Sequence, residues 1–494
     1  MSVLAIDCGT TGVTALVVSE DGLVLSRGYQ EFQQHFPQPG WVEHEPEEIW
    51  VAVLGASRAA LQGHTVTAVG LTVQRETAVL WDRRSLQPPR RAIVWQDRRT
   101  TEICERLKEQ GHEPRVAELT GLRLDPYFTG TKLAWVREHD PRAWEGVEAG
   151  TTAVGTVDSY VCARLTGGAL HVTDASNASR TLLLDIRTGQ WSEELCALLE
   201  VPSAALPQVV PSYGVVGRTD PGSFLGLDLP IAGIAGDQQA ALFGQGCYEP
   251  GRSKCTYGTG SFVLVNTGAT PCLSERLLTT VAWMDPDGAL TYALEGAVFV
   301  TGAAVQWLRD GLQVIGGAAE VEALAGHVPD SGGVVFVPAL TGLGAPHWDP
   351  TARGTVLGIT RGTTRAHLAR ATLDAIAFEV RDVVDAMTSE AGVAVPSLQV
   401  DGGASANDLL CQLQADQLGV PVQRPEVLET TALGAAFLAG LGTGVWSSTE
   451  ELASTWRLDR RFDPVAGVRE DGTHARWLRA VERSRAWDLE VSTP

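Results

Sequence analysis

The eight cysteines of this sequence form no CxxC pair and sit in no histidine-rich stretch. That pattern supports neither a zinc site nor a disulfide framework, and free thiols fit a reducing cytoplasm. No apolar run approaches the roughly 18 residues that a membrane span requires. The opening MSVLAID lacks the basic region and apolar core of a signal peptide. Positive charge is scarce as well: the formal net charge is −21, which opposes docking on nucleic acid or on an anionic membrane surface. A small anionic ligand stays admissible where a local nest of donors overrides the global field. No GxxxxGK[ST] run occurs, which argues against a P-loop enzyme. The expectation is a soluble, cytoplasmic chain acting on small molecules.

What is present is an ordinary globular composition, 44% apolar and 20% charged. At 494 residues the chain is too long for one hydrophobic core, and two or three domains are expected. The first thirty residues read as a three-strand meander: SVLAID, then VTALVVS, then an Asp21-Gly22 turn into LVLSRGYQEF. EPEEIWVAVLGASRAAL reads as a helix, with Pro46 suited to its first position and glutamates to its positive end. AVGLTV is a short buried strand, and alternating strands and helices beyond it indicate an α/β architecture. KCTYGTGSFVLVNTG repeats the strand, Gly-Thr turn, strand pattern of LAIDCGTTGVTALVV about half a chain later. Two related domains with the ligand between them follow as the expectation, divided near Gly246 into 1–246 and 247–494. HARWLRAVERSRAWDL, ending at Leu489, reads as an amphipathic helix with Trp477 and Val481 on one face.

The stretch IAGIAGDQQAALFGQG places Asp237 at the joint of a small apolar strand and a small apolar helix. A buried carboxylate there is costly unless it is paired, coordinated or used; capping the helix is the plain alternative. DCGTTG (7–12) is a glycine turn whose backbone N–H groups and Thr10 and Thr11 hydroxyls suit phosphate oxygens, with Gly12 closing it. Asp7 at its strand end could hold Mg²⁺ directly or through water. Taken alone, the hexamer is equally a plain β-turn. Together with Gly258–Gly260 and Asp401-Gly402-Gly403, each after an apolar strand, it suggests a nucleotide clamped from two sides.

These motifs carry a family resemblance. PQPGWVEHEPEEIW, QRETAVLW, AIVWQDRR, TGLRLDPYFTGTK, VTDASNASRT, GIAGDQQAALFGQ, TYGTG, ALEGAVF, TGLGAPHWDP, VDGGASAN and RPEVLETTALGAA together resemble the FGGY carbohydrate kinases. The match runs from Val3 to about Trp456, and QRET, WQ-RR and DPYF point to the branch that phosphorylates glycerol. The resemblance implies two ribonuclease-H-like domains of the actin-like ATPase superfamily with an interdomain active-site cleft. The first would hold the polyol site and first phosphate hairpin, the second the other hairpin and the adenosine site. It implies ATP and Mg²⁺ as cofactors, glycerol as substrate, and Asp237 as general base. Arg75, Glu76, Tyr127 and Gln238 match groups that hold the polyol hydroxyls, and Trp95 and Phe262 match its aromatic walls. Thr10, Thr11, Thr259, Gly302, Gln306, Gly403 and Asn407 match nucleotide contacts, and Asp7 and Asp237 match metal-linked carboxylates. A homo-oligomer is compatible with this reading.

Without the family, Arg75-Glu76 reads as a solvated surface pair, and Trp95 and Phe262 as core packing. Four departures from the family pattern stand out: Cys8 for a common glutamine, Thr14 for an arginine beside the phosphates, Asp228 for an arginine, and His347 for a tyrosine. Asp228 lies in a segment without histidine, so regulation by phosphohistidine or fructose 1,6-bisphosphate is not expected. The nearest rival function is phosphorylation of another polyol or a ketose. A rival from another class is an actin-like ATP-driven binding protein, for which the chain after Trp456 leaves no room for a peptide-binding domain.

Overall fold

A computed structural model describes residues 1–488. Strands β1 (Ser2–Cys8), β2 (Gly12–Ser19) and β3 (Val24–Glu31) form the expected meander, and helix α1 (Pro46–Ala60) covers its inner face. β4 (Ala68–Val73), β5 (Tyr213–Arg218) and β6 (Pro230–Gly236) complete a six-stranded sheet in the order β5-β6-β4-β1-β2-β3. β6 runs directly into helix α2 (Asp237–Gly244).

The second half repeats the plan. β7 (Ser253–Tyr257), β8 (Ser261–Gly268), β9 (Leu278–Met284) and β10 (Leu290–Val298) precede helices α3 (Gly302–Asp310) and α4 (Arg365–Ala391). β11 (Leu398–Asp401), α5 (Asp408–Leu418) and β12 (Val422–Pro425) follow, then α6 (Thr430–Thr443), β13 (Leu458–Phe462) and α7 (Thr473–Ser484). The sheet order is β9-β10-β8-β7-β11-β12-β13. In both halves a first strand pairs antiparallel with the second and parallel with a later one, which pairs parallel with the next (β1–β4–β6 and β7–β11–β12). Both are ribonuclease-H-like domains, and the two Gly-Thr turns occupy equivalent places, between first and second strands.

Helix α6 belongs to the second half in sequence but lies on the first sheet. It does so at backbone contact: a Cβ on Gly70 would meet the Ala435 carbonyl oxygen at 2.1 Å, and one on Gly434 would meet the Ala240 carbonyl oxygen at 1.8 Å. The run TTALGAAFLAG is small because it threads between β4, β6 and α2. Val3, Ala5, Leu16 and Val18 of the first sheet therefore share a core with Ala432, Ala435 and Phe437.

One boundary differs from expectation. Helix α7 ends at Ser484, because Arg485 is extended and Ala486 takes φ +52°. Trp477 and Val481 are buried as anticipated; Leu489, assigned to the same helix from sequence, lies outside the described residues.

Candidate active site

Asp237 is the first residue of α2, and Gly236 occupies the capping position. Among the described residues its carboxylate accepts from no N–H two or three residues onward; Oδ1 accepts from the adjacent first-turn Gln238 N–H at 2.7 Å. The capping alternative is therefore not what the chain adopts. Instead Oδ1 lies 3.1 Å from Arg75 Nε, and the Asp237 side chain keeps 28% of its surface while Arg75 keeps 2%. The acid is open to solvent on one side and its partner is sealed.

Arg75 and Glu76 follow the end of β4 and are buried, so the surface-pair reading fails. Arg75 donates through Nη1 to Glu295 Oε2 at 2.5 Å, through Nη2 to Glu295 Oε1 at 3.1 Å, and to Tyr127 Oη at 3.4 Å. Arg180, also sealed, donates to Glu76 Oε1 at 2.7 Å and to Glu295 Oε1 at 2.9 Å. Burial pushes Glu295 up, but Arg180 and Arg75 outweigh it and hold the carboxyl down at about 2. For Glu76 burial wins and its carboxyl is raised. Glu76 sits at φ +62°, a conformation that is strained for a non-glycine residue and persists where surrounding bonds over-determine it. Those bonds are present: Thr129 Oγ1 and Lys132 Nζ both donate to its carbonyl, at 3.1 and 3.2 Å.

Arg180 and Glu295 were not picked out as site residues from sequence. A signal existed: a lone glutamate inside the apolar strand segment ALEGAVF raises the same question as Asp237.

Trp95, Tyr127 and Phe262 are half-buried and adjoin one another edge-on, with Trp95 centroids 5.8 Å from Tyr127 and 6.5 Å from Phe262. Phe262 also packs against the core shared with α6, so core packing holds for it in part, while Trp95 and Tyr127 keep part of their surface exposed. Trp95 Nε1 also donates to Thr10 Oγ1 at 2.9 Å, tying this wall to the first glycine turn. Gln238 is held by Lys254, whose Nζ donates to Oε1 at 2.5 Å.

The glycine turns are held in place by bonds to their carbonyl groups. Gln74 Nε2 donates to the Gly9 carbonyl at 3.2 Å and steadies the Thr10–Gly12 turn. In the second turn, Thr301 N–H and Ala303 N–H donate to the Thr259 carbonyl at 2.9 and 3.1 Å, so the start of α3 brackets it. Gly302 fits there because a Cβ would lie 2.7 Å from the Gly258 carbonyl oxygen. Gly402, at φ +82°, lies against Tyr257, where a Cβ would be 2.4 Å from its carbonyl oxygen. Gly403 next to it meets nothing within 4 Å and leaves open space. Asn407 caps α5, its side-chain oxygen accepting from Leu410 N–H at 2.9 Å; Gln306 is exposed on α3.

Asp7 is the next-to-last residue of β1, near Asp237. Burial and the Asp237 charge push its carboxyl up to about 7. Two carboxylates that repel across a gap suit a divalent cation. Among the described residues no three His, Cys, Asp or Glu side chains converge, so phosphate oxygens and water would supply the remaining ligands, as Mg²⁺ prefers. Among the departures, Thr14 faces Asp7 in the β1–β2 register, Asp228 is paired with Arg218 at 2.6 Å, and His347 lies 3.6 Å from Asp382, far along the chain from the cleft residues.

The description "FGGY family of carbohydrate kinases, N-terminal domain" matches residues 2–244, and its C-terminal counterpart matches 253–443. The chain belongs to the FGGY family of carbohydrate kinases. This FGGY kinase is 57% identical to a glycerol kinase of Aromatoleum aromaticum, covering 98% of this chain and 99% of that one. It is 55% identical to a glycerol kinase of Myxococcus xanthus over 98% and 99% of the two chains. A crystal structure of Plasmodium falciparum glycerol kinase with ADP superposes at TM-score 0.91, with 32% identity and 98% of each chain covered. A xylulose kinase from Rhodospirillum rubrum superposes at 0.85, with 26% identity and 98% of each chain covered. No helix among the described residues is long and apolar enough to cross a membrane.

Proposed function

We propose that this FGGY kinase transfers the γ-phosphoryl group of ATP to a terminal hydroxyl of glycerol, giving sn-glycerol 3-phosphate and ADP. The observation that carries the reading is Asp237, an accessible carboxylate at a helix start, braced by a sealed Arg75 at 3.1 Å. The glycerol kinases that share more than half of its residues over nearly full length support the choice of polyol.

In this reading Asp237 accepts the proton of the attacking hydroxyl as the new O–P bond forms and the bond to ADP breaks. Arg75, Glu76, Tyr127 and Gln238 hold the glycerol oxygens, matching a triol that both donates and accepts. Trp95 and Phe262 lie along its carbon chain and exclude water from the γ-phosphate. The turns at Thr10–Gly12, Thr259 and Gly403, with Gly302, Gln306 and Asn407, receive the nucleotide. When bound beside Asp7 and Asp237, Mg²⁺ neutralises phosphate charge. The halves 1–246 and 247–494 bring the polyol and the nucleotide together in line.

A coupled assay of ADP release with glycerol, other polyols and ketoses tests the proposal. Glycerol is expected to give the highest kcat/KM, with propane-1,2-diol lower by roughly 1–3 kcal/mol for the missing hydroxyl. An equal or higher value for a pentulose overturns it.

A further inference from the structure

Strand β7 carries a lysine that the reaction outlined above leaves without a role. Lys254 pairs in register with Leu264 of β8 and Gln399 of β11, and Leu264 pairs with Glu295 of β10. Residues paired across a pleated sheet share a face, so Lys254 and Glu295 stand in one row. Thr256, Phe262 and Asp401 stand in the next row on the same face. Helix α2 of the other domain packs on that face.

Lys254 has no exposed surface. Its Nζ donates to Gln238 Oε1 at 2.5 Å and to Thr256 Oγ1 at 2.8 Å. Both partners are neutral, and among the described residues no carboxylate oxygen lies within the 4.0 Å of an ion pair with it. Burial pulls the ammonium down, while the more distant charges of Asp401, Asp237 and Glu295 hold it up. Sealing an ammonium among neutral partners costs several kcal/mol, far more than tethering an amide needs. That cost calls for a function.

The chemistry of the contact supplies one. An ammonium has three donors and no acceptor, so the Gln238 atom facing it is the amide oxygen. The NH₂ group then points the other way, and among the described residues it is not a buried atom without a partner. Without Lys254 the amide could turn over and present its oxygen instead.

We propose that Lys254 is a positioning residue that fixes the Gln238 amide with its NH₂ toward the polyol, making that point of the site a hydrogen-bond donor only. The proposal rests on the polyol-kinase reading and assigns one of its specificity contacts. It also gives a role to the lysine on β7, four residues before the Gly258–Gly260 turn, where the second sheet meets helix α2.

A double-mutant cycle on the full-length enzyme tests it, with wild-type glycerol turnover measured first. Absence of that turnover would refute the function, and the cycle would then be run with whichever polyol is phosphorylated. Lys254→Met is expected to raise the glycerol KM about tenfold, the equivalent of one lost hydrogen bond to a charged-site partner, and to leave the ATP KM within about twofold. In a Gln238→Ala background the same change should add less than about twofold, since the amide it orients is gone. Additive effects, an unchanged glycerol KM, or an equal rise in the ATP KM would overturn the proposal. Gln238→Glu covers the case in which Lys254→Met does not fold. It keeps Lys254 partnered but removes the NH₂, so glycerol KM should rise at least as far; wild-type glycerol binding by this variant would overturn the donor assignment.

Discussion

Arg75 and Glu295, 220 positions apart in the chain, close a two-bond ion pair between the first and second domains at 2.5 and 3.1 Å. Arg180 donates to the same carboxylate, so one glutamate of the second sheet holds two arginines of the first domain. The substrate arginine is thus positioned by the domain opposite to its own.

Glu295→Gln should therefore destabilise the protein by about 3–5 kcal/mol, the usual consequence of removing one partner of a buried ion pair. Urea denaturation at pH 7 measures it. Because the Glu295 carboxyl is held at about 2 against an ordinary 4.5, its contribution is complete above pH 4.5 and fades as the pH falls toward 2. The stability gap between wild type and variant should shrink over that window; a gap constant from pH 6 to pH 3 would contradict the assignment.

Asp237→Asn should fold and bind ATP while losing on the order of 10²–10⁴ in kcat, the range for a general base. The fold tolerates the change because the side chain is 28% exposed and the amide oxygen of asparagine can still accept from Gln238 N–H. Retention of more than about a tenth of kcat would remove Asp237 from the role of base.

Lys132 gives a prediction above neutrality. It is fully buried, donates to the carbonyls of Glu76 and Tyr127, and is pulled down by burial from 10.5 to about 7. The unfolded chain therefore binds more protons than the folded one between pH 7 and 10.5, and wild-type stability should rise with pH there. Relative to Lys132→Met, the rise should be at most about 1.4 kcal/mol per pH unit. Parallel stability curves for the two proteins between pH 7 and 10 would show that the ammonium is not strained by burial.

Thr14 stands opposite Asp7 in the strand register, at the position where the family resemblance implies an arginine. A charge-assisted bond is worth about 1.5–3 kcal/mol, so Thr14→Arg should raise kcat/KM for ATP by about tenfold or more and lessen the dependence on free Mg²⁺. Unchanged ATP kinetics in a folded variant would mean that the phosphates gain no charge from this position.

The sequence by itself determined the local elements and the residues that advertise themselves. The β1–β3 meander, α1 behind Pro46, the three glycine turns and the strand–helix joint at Asp237 were legible because alternation, turn chemistry and helix-start signals act within a few residues. Family motifs then named Arg75, Glu76, Tyr127, Gln238, Trp95 and Phe262, which the structure joins in one chain of contacts through Arg75, Asp237 and Trp95. What only the tertiary structure decided is who holds them. Glu295, Arg180, Lys254 and Lys132 reach their partners across sheet register and domain packing, over separations of up to 220 residues. Nothing local in TVAWMDPDGALTYALEGAV tells which arginine its glutamate will meet. The small residues of α6 likewise acquire a reason only when Gly70 and Gly434 are seen at backbone contact with the helices opposite. Hydrogen bonding and pleat act at short range and leave their mark on sequence; charge pairing and close packing between distant segments are settled by the folded geometry.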